Sequence, residues 1–329
     1  MAFCSNATNL VPNDTNGCDD VFVRDMALRR TDRVSVSSSG EQGNGYSWAP
    51  SISANGRYVA FCSLASNLVQ GDTNRCGDVF VHDRKSGRTV RVSVSSKGEQ
   101  ANGESWGPCI SRDGRFVAFI SAASNLVPGD TNGIPDYFVH DCLTGETTRV
   151  SVSSSGEQAQ PPWTEHTQPP VPASVAISGD GRKVAFVSAS PNLVAGDRNY
   201  SADVFLHDRV THETIRVSVS STGQEGGWPS YAPSISGDGR FIAFVSRAGE
   251  FVLGDSNGKP DVFVRDTLTG RTTRVSVDTG GHQWGAWESG MPSISEGGRF
   301  VAFISGQTAL IDTGDFFNVF VHERPWLRR

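Results

Sequence analysis

Residues 67–83, NLVQGDTNRCGDVFVHD, form a motif that occurs six times along the chain with small changes. Each copy follows an apolar VAFxS segment and precedes a TxRVSVS segment and then a PSIS segment. Five copies begin at Asn9, Asn67, Asn125, Asn192 and Phe251, and a shorter one occupies residues 311–323. A repeat of nearly fixed length indicates a repeat architecture before any local structure is assigned.

The phenylalanine of VAFxS marks the repeat, at intervals of 58, 58, 67, 58 and 59 residues. Each repeat contains four short segments rich in Val, Ile, Phe and Thr, which is typical of strands. In the second repeat they are residues 50–53, 57–63, 78–83 and 89–95. Asn-Gly and Asp-Gly dipeptides between the first two segments favour tight hairpins. The pattern predicts an all-β propeller of about six four-stranded blades, the first and last incomplete.

We expect one propeller domain over residues 1–329. Its repeats are predicted near 2–48, 49–106, 107–172, 173–231, 232–290 and 291–329. The sequence opens within a second strand and stops before a fourth strand, so we expect it to be a piece of a longer secreted parent. In a closed ring, the two incomplete blades would meet at the seam.

The pattern PSISxDGRxVAFxS…DVFVHDxxTGxTxRVS resembles the repeat of the TolB-like six-bladed propeller family. That repeat carries a Pro-x-x-Ser-x-Asp-Gly hairpin, an Ile-Ala-Phe strand and a strand ending in Asp. The resemblance covers essentially the whole chain and implies the propeller fold and, often, an extracytoplasmic location. The GDTNGxxD connection is longer than the loop usual in that family, so the partners of the Tol system are not implied.

Composition narrows the classes of partner. The formal net charge is −6, so the protein lacks the excess of basic residues that is typical of nucleic-acid-binding proteins. No apolar run approaches the roughly 20 residues that span a bilayer, so no membrane insertion is expected. The start, MAFCSNATNLV, has no signal-peptide pattern. With the resemblance, the expected location is extracellular, periplasmic or at the cell surface.

Four cysteines recur at two repeat positions, 14 residues apart in each copy: Cys4 with Cys18, and Cys62 with Cys76. The third copy has isoleucine at both positions. This paired change predicts two disulfides, Cys4–Cys18 and Cys62–Cys76, and an oxidising compartment. The alternative is four buried thiols. Cys109 and Cys142 share no repeat position and are given no pairing.

The repeated loop carries an Asp-x-Asn pattern with a third acidic residue, an arrangement of oxygen ligands that suits Ca²⁺. The candidate ligands are Asp14, Asn16, Asp20, Asp72, Asn74, Asp78, Asp130, Asn132, Asp136, Asp197, Asn199, Asp203, Asp255, Asn257 and Asp261. Each loop offers only three side-chain ligands and lacks the bidentate acid of a full calcium loop. The alternative is that these side chains bond the backbone of their own loop.

Aromatic residues mark the link between the fourth strand of one repeat and the first strand of the next: Trp48, Trp106, Trp163, Trp228, Tyr231, Trp284 and Trp287. Among polar neighbours they predict a platform for sugar rings or a peptide. The alternative is packing between blades. The insertion at residues 161–173 breaks the repeat length, so Trp163, Glu165 and His166 are further candidates.

Catalytic motifs of the GxSxG, HExxH and CxxC types are absent from the sequence. The serines of RVSVS are expected on a strand surface. Four histidines share a repeat position with two arginines, which predicts a solvated or Asp-paired site and no metal ligand: His82, His140, His207, His322, Arg24 and Arg265. The sequence favours a secreted or cell-surface binding or scaffold module for a glycan or protein. The alternatives are a polysaccharide lyase or hydrolase with a central-channel site, and a purely structural repeat.

Overall fold

The computed structural model describes residues 1–162, 173–283, 288–306 and 318–324. In this part the chain forms antiparallel strands and one 3-10 turn, Gly249–Phe251. Two compact units are present, Met1–Val150 and Ser151–Arg329, with three sheets in each. No helix among the described residues is long and apolar enough to cross a membrane.

The first unit contains a three-stranded sheet followed by two four-stranded sheets. The first sheet is β1 (Ala2–Ser5), β2 (Asp20–Asp25) and β3 (Arg30–Arg33). The second sheet is β4 (Ser47–Ile52), β5 (Tyr58–Ser63), β6 (Asp78–Asp83) and β7 (Arg88–Arg91). The third sheet is β8 (Ser105–Ile110), β9 (Phe116–Ser121), β10 (Asp136–Asp141) and β11 (Thr147–Arg149).

The second unit contains two four-stranded sheets followed by a three-stranded one. The fourth sheet is β12 (Val175–Ile177), β13 (Lys183–Ser188), β14 (Asp203–Asp208) and β15 (Glu213–Arg216). The fifth sheet is β16 (Ser230–Ile235), β17 (Phe241–Ser246), β18 (Asp261–Asp266) and β19 (Arg271–Arg274). The sixth sheet is β20 (Ser289–Ile294), β21 (Phe300–Ser305) and β22 (Asn318–Glu323). Six up-and-down sheets, shortened at each end of the chain, confirm the predicted blades.

The two middle strands of each sheet form its buried centre. In the second sheet, Phe61 of β5 faces Phe80 of β6 with ring centroids 5.9 Å apart, and both side chains are fully buried. Burial on both faces accounts for the nearly continuous apolar sequence of these strands. The first strand bends instead: its register with β5 shifts between Trp48 and Ser51, where Ala49 has a φ of 49°.

Each sheet has two ends, which we name by the connections found there. The loop edge of the second sheet carries Ser47, Ser63 and Asp78, with the long Asp/Asn loop and the incoming link. The turn edge carries the short hairpins and an Arg57–Asp83 ion pair of 2.7 Å. All predicted ligand and metal positions that the structure describes therefore belong to loop edges.

A threonine hydroxyl joins consecutive sheets within a unit, and a histidine of its own sheet bonds the same oxygen. Thr89 Oγ1 of the second sheet donates to the Val36 carbonyl that follows the first sheet, at 2.5 Å. Because this bond uses the hydroxyl proton, His82 Nδ1 must donate in its own 2.9 Å bond to Thr89 Oγ1. In the first and fifth sheets an arginine makes the same bond, from Arg24 to Thr31 and from Arg265 to Thr272.

The expectation of solvated histidines is therefore wrong for three of them. His82, His140 and His207 are buried, because each imidazole serves as a donor to a threonine beside a neighbouring strand. Burial also lowers the pKa of His207, to about 4. Arginine replaces histidine at this position because both offer an N–H group to the threonine oxygen.

The predicted disulfides are also wrong: Cys4, Cys18, Cys62 and Cys76 are free thiols. In the register of the second sheet Cys62 lies opposite Val79, three residues after Cys76. The Cys76 thiol instead bonds the Asn74 carbonyl of its own loop at 3.5 Å, while Cys62 is buried within the sheet. The first sheet has the same offset, since Cys4 lies opposite Val21.

A glycine at the hairpin of the third sheet and of the sixth sheet allows the preceding sheet to pack closely. At Gly114 φ is 82°, and a Cβ there would lie 2.2 Å from Cδ2 of Tyr58 on the second sheet. Gly298 of the sixth sheet stands in the same relation to Phe241, also at 2.2 Å. At Gly114 and Gly298, both the positive φ and the close aromatic ring therefore require glycine.

We predict that Gly114→Ala destabilises the protein more than Gly98→Ala does. Gly98 has nearly the same φ, 80°, but nothing lies within 4 Å of a Cβ built there. The left-handed backbone should cost about 1–2 kcal/mol in both variants. The contact with Tyr58 should add about 1–3 kcal/mol for Gly114→Ala alone. Urea unfolding of both variants measures the difference, and equal losses would show that the ring contact is unimportant.

Candidate functional site

The loop edge of the second sheet gathers two carboxylates around one arginine. Arg91 Nη1 lies 3.5 Å from Asp72 Oδ1 and 3.3 Å from Asp78 Oδ2. Gln100 Nε2 donates to the same two oxygens, at 2.9 and 3.2 Å. Ser93 Oγ donates to the other oxygen of Asp78 at 2.5 Å. The arginine and glutamine together bridge the loop to the fourth strand and to the link that follows it.

The same cluster recurs in the other sheets. The first sheet uses Asp14, Asp20, Arg33 and Gln42, and the fifth uses Asp255, Asp261, Arg274 and Gln283. In the third sheet, Arg149 lies 3.3 Å from both Asp130 and Asp136. The serine that bonds the aspartate is buried in the first and second sheets, at Ser35 and Ser93. The expectation of surface serines is wrong there, because the hydroxyl is needed to satisfy a buried carboxylate.

The asparagine of each loop closes the loop on itself. Its Oδ1 accepts the backbone N–H two residues later, as at Asn74 with Cys76 N, 3.0 Å. Its Nδ2 donates to the buried aspartate, as from Asn74 to Asp78 at 3.2 Å. Both bonds recur in the other described loops, at Asn16, Asn132, Asn199 and Asn257.

The structure therefore brings the candidate calcium ligands of each loop together, with a guanidinium between them. Among the described residues, no group of three or more His, Cys, Asp and Glu side chains is arranged to hold a metal ion. Calcium binding by these loops stays a prediction. The arginine and glutamine were overlooked in the sequence, although both recur at fixed positions, in TxRVSVS and in GEQ.

The fourth sheet departs from this pattern at one position. Glu225 replaces the glutamine, and its carboxylate lies 2.7 Å from Arg216 Nη1. Asp197 and Asp203 each lie 3.2 Å from the same nitrogen. Three carboxylates thus share one guanidinium, without the bridging amide. Burial and the neighbouring Asp203 raise the pKa of Asp197 to about 6, against the opposing effect of Arg216.

The predicted aromatic residues divide into packed and exposed positions. Trp48, Trp106 and Tyr231 share one register position in β4, β8 and β16, and all three are partly buried against hydrophobic clusters. Trp228 is 42% exposed, and the Arg247 guanidinium lies 4.7 Å from its ring centroid. Trp163, Glu165, His166, Trp284 and Trp287 lie outside the described residues.

Two exposed side chains beside Trp48 were not predicted. Tyr46 is 52% exposed and Leu64 is 49% exposed, at the loop edge of the second sheet. Leu64 N donates to Tyr46 O at 2.9 Å, which sets the two residues side by side. A Cβ at Gly77 would lie 3.6 Å from Trp48 Cη2 and 3.9 Å from Leu64 Cδ2, so both side chains cover this glycine. We name Tyr46, Trp48 and Leu64 the aromatic patch.

No protein-family model and no curated protein matches the sequence. Solved structures do match in fold. TolB from Acinetobacter baumannii is 15% identical, with a TM-score of 0.51, over 98% of this chain and 63% of that one. An oligogalacturonate lyase in complex with manganese is 13% identical, with a TM-score of 0.54, over 94% of this chain and 71% of that one. The acylaminoacyl peptidase of Pyrococcus horikoshii is 12% identical, with a TM-score of 0.54, over 97% and 42%.

The fold class is therefore an all-β six-bladed propeller, similar in structure to TolB and to the propellers of peptidases and lyases. The first and last blades have three strands, and the others have four. The chain spans 63% of the TolB chain it matches. At these identities the similarity shows the fold alone, since one propeller fold supports many unrelated activities.

We predict that Glu225→Gln stabilises the protein by about 1–2 kcal/mol at pH 7. The raised pKa of Asp197 means that the folded state holds this proton more tightly than the unfolded state. The charged carboxylate therefore destabilises the fold above pH 6, and this cost disappears as the pH falls towards 4. A glutamine amide, as at Gln100, should reduce the cost, because it removes the Glu225 charge that adds to the effects of burial and Asp203, and because it donates to both aspartates.

Urea unfolding of wild type and variant at pH 7 and pH 4 measures this difference. The gain should be present at pH 7 and vanish near pH 4. The reverse substitution at the matched position, Gln100→Glu, should destabilise the protein at pH 7. A gain of Glu225→Gln that does not change with pH would contradict the explanation by charge.

Proposed function

We propose that the protein is a secreted or cell-surface binding module that recognises a carbohydrate through the loop edges of its blades. The observation that carries the proposal is the exposure of aromatic rings there, with Tyr46 at 52% and Trp228 at 42%. Flat aromatic faces that remain open to water beside polar groups suit the apolar faces of sugar rings.

The surroundings of Tyr46 support this proposal. Asn44 Nδ2 donates to Ser66 Oγ at 3.1 Å, and Asn44 Oδ1 accepts the Ser66 backbone N–H at 2.9 Å. Asn67 Nδ2 donates to the Gln42 carbonyl at 2.9 Å. These bonds hold exposed amide and hydroxyl groups in a fixed arrangement next to the aromatic patch. A rigid set of donors and acceptors beside a ring is what oriented binding of a polyhydroxylated ligand requires.

Trp228 offers a second platform, in the second unit. Its ring is stacked with the Arg247 guanidinium, and the side chain of Arg247 also donates to the Gly258 carbonyl at 3.1 Å. The arginine is thus held on the ring by two interactions. A guanidinium beside an exposed indole favours a glycan that carries carboxylate groups, because the arginine can bond them while the ring stacks on the sugar.

We predict that the purified chain binds acidic oligosaccharides on a glycan array. Tyr46→Ala and Trp228→Ala should each weaken binding about three- to tenfold, because each removes one stacking face. Leu268→Ala is the matched control, since Leu268 is 75% exposed but lies at a turn edge. Repeating the array with calcium and with a chelator tests the predicted metal sites in the same experiment.

A blank array in both conditions, or equal losses from Leu268→Ala and the two aromatic variants, would contradict carbohydrate recognition. A protein partner would then be the next ligand class to test. Loss of binding in the chelator alone would instead implicate the Asp/Asn loops.

A further inference from the structure

One repeat position places a side chain in the groove between consecutive sheets at the turn edge. It is the residue after the acidic end of the third strand, and its backbone N–H bonds the arginine carbonyl that precedes the second strand. The position is recognised in five sheets by this bond, at 2.8–3.0 Å: Arg84 with Arg57, Cys142 with Arg115, Arg209 with Arg182, Thr267 with Arg240 and Arg324 with Arg299.

In the groove between the first and second sheets, this position fills the space with an arginine. Arg84 Nη1 donates to the Gly56 carbonyl at 2.8 Å, and Arg84 Nη2 lies 3.1 Å from Asp32 of the first sheet. The guanidinium thus reaches across the groove from the hairpin of its own sheet to the neighbouring strand.

An arginine also enters the groove between the fifth and sixth sheets, and a smaller cavity of 210 Å³ remains beside it. Arg324 Nη1 donates to the Gly298 carbonyl at 2.7 Å, and its guanidinium carbon lies 4.0 Å from the Phe241 ring centroid. Asp266, Arg240 and Arg271 all act electrostatically on this guanidinium. An aromatic ring, a hairpin carbonyl and an aspartate therefore form a binding site that is occupied by an arginine of the same chain.

The groove between the second and third sheets has the corresponding ring, hairpin glycine and aspartate but no arginine at this position. Tyr58 stands in the place of Phe241, Gly114 in that of Gly298, and Asp83 in that of Asp266. The ring and the hairpin make the same close approach, 2.2 Å from a built Cβ to Cδ2 in both grooves. The inserted residue is Cys142, whose side chain is too short to cross the groove. A cavity of 350 Å³ remains, lined by Tyr58, Asp83, Arg88, Gly114, Cys142 and Leu143.

We propose that this cavity binds the side chain of an arginine presented by a protein partner. The guanidinium would stack on Tyr58 and donate to the Gly114 carbonyl, as Arg324 does on Phe241 and Gly298. Cavities of a few hundred Å³ are the size that holds one such group.

The charged side chains that line the cavity are Asp83, Asp113, Arg88 and Arg115, and Arg115 is paired with Asp141 at 2.7 Å. Arg57 and Arg88 occupy the positions that Arg240 and Arg271 hold around Arg324. Arg324 lies in its groove despite the repulsion from those two arginines, so the same repulsion does not exclude an arginine from the cavity. Asp113 also lines the cavity, where the sixth sheet has Gly297, and it adds a carboxylate that the filled groove lacks. The site lies at a turn edge, so carbohydrate binding at the loop edges is independent of it.

The test is a titration of the full chain with Nα-acetyl-arginine amide, followed by the tyrosine ring resonances, with Tyr58 assigned through Tyr58→Phe. We expect a saturable shift of the Tyr58 signals. The uncharged analogue Nα-acetyl-citrulline amide should bind at least about tenfold more weakly, since it keeps the shape but loses the charge. Asp113→Asn should weaken binding of the arginine probe about three- to tenfold.

Cys142→Arg should place an arginine side chain of the protein itself in the cavity. We expect it to abolish the Tyr58 shift and to raise the melting temperature by about 2–4 °C. Cys142→Leu blocks the cavity without a charge and should also abolish binding, which keeps the test available if the arginine variant folds poorly. No saturable shift of Tyr58, equal binding of the citrulline probe, or full binding in Cys142→Leu would each overturn the proposal.

Discussion

The buried aspartate at the start of the third strand is the constraint on which each of the first five blades depends. Asp78 is fully buried, and its two oxygens accept bonds from Ser93, Asn74 and Gln100 while Arg91 supplies the opposite charge. A buried carboxylate destabilises a fold strongly unless it is bonded and paired. Satisfying this one group therefore fixes the loop before the strand, the end of the fourth strand and the link to the next sheet.

This constraint also decides which residues remain open to ligands. Most recurring Asp, Arg, His and Thr residues are engaged inside a blade or between neighbouring sheets of one unit. The side chains left exposed occupy positions that change from one blade to the next, such as Tyr46 and Trp228. In the first unit, the residues that hold the fold and the residues that face solvent at the loop edge thus form separate sets, although they lie within a few positions of one another in the sequence.

The strands and turns were predictable because they depend on local patterns. Apolar segments of about six residues recur in every copy, and Asn-Gly or Asp-Gly turns recur in four of them. Each pattern can be recognised from its own neighbours in the sequence. Contacts between segments were not predictable in the same way. The paired cysteines correctly indicated that the second strand lies near the loop before the third strand. They did not indicate the register, which places Cys62 opposite Val79 and not opposite Cys76. The serines of RVSVS alternate as on a surface strand, yet Ser93 turns inward because Asp78 requires a donor.

In a repeat protein the same structural position occurs several times in one chain, so its contacts can be compared between repeats. Where a bond recurs in several sheets, its geometry shows what that position needs. Glu225 departs from the pattern while the two aspartates and the arginine stay in place, and Cys142 departs from it beside an aromatic ring, a hairpin glycine and an aspartate that keep their positions. At Glu225 the two aspartates lose an amide donor and gain a third carboxylate, which adds to the effects of burial and of Asp203 in raising the pKa of Asp197. At Cys142 an aromatic ring and a carbonyl lack the guanidinium that Arg324 supplies in the groove between the fifth and sixth sheets, and a cavity of 350 Å³ lies at that place.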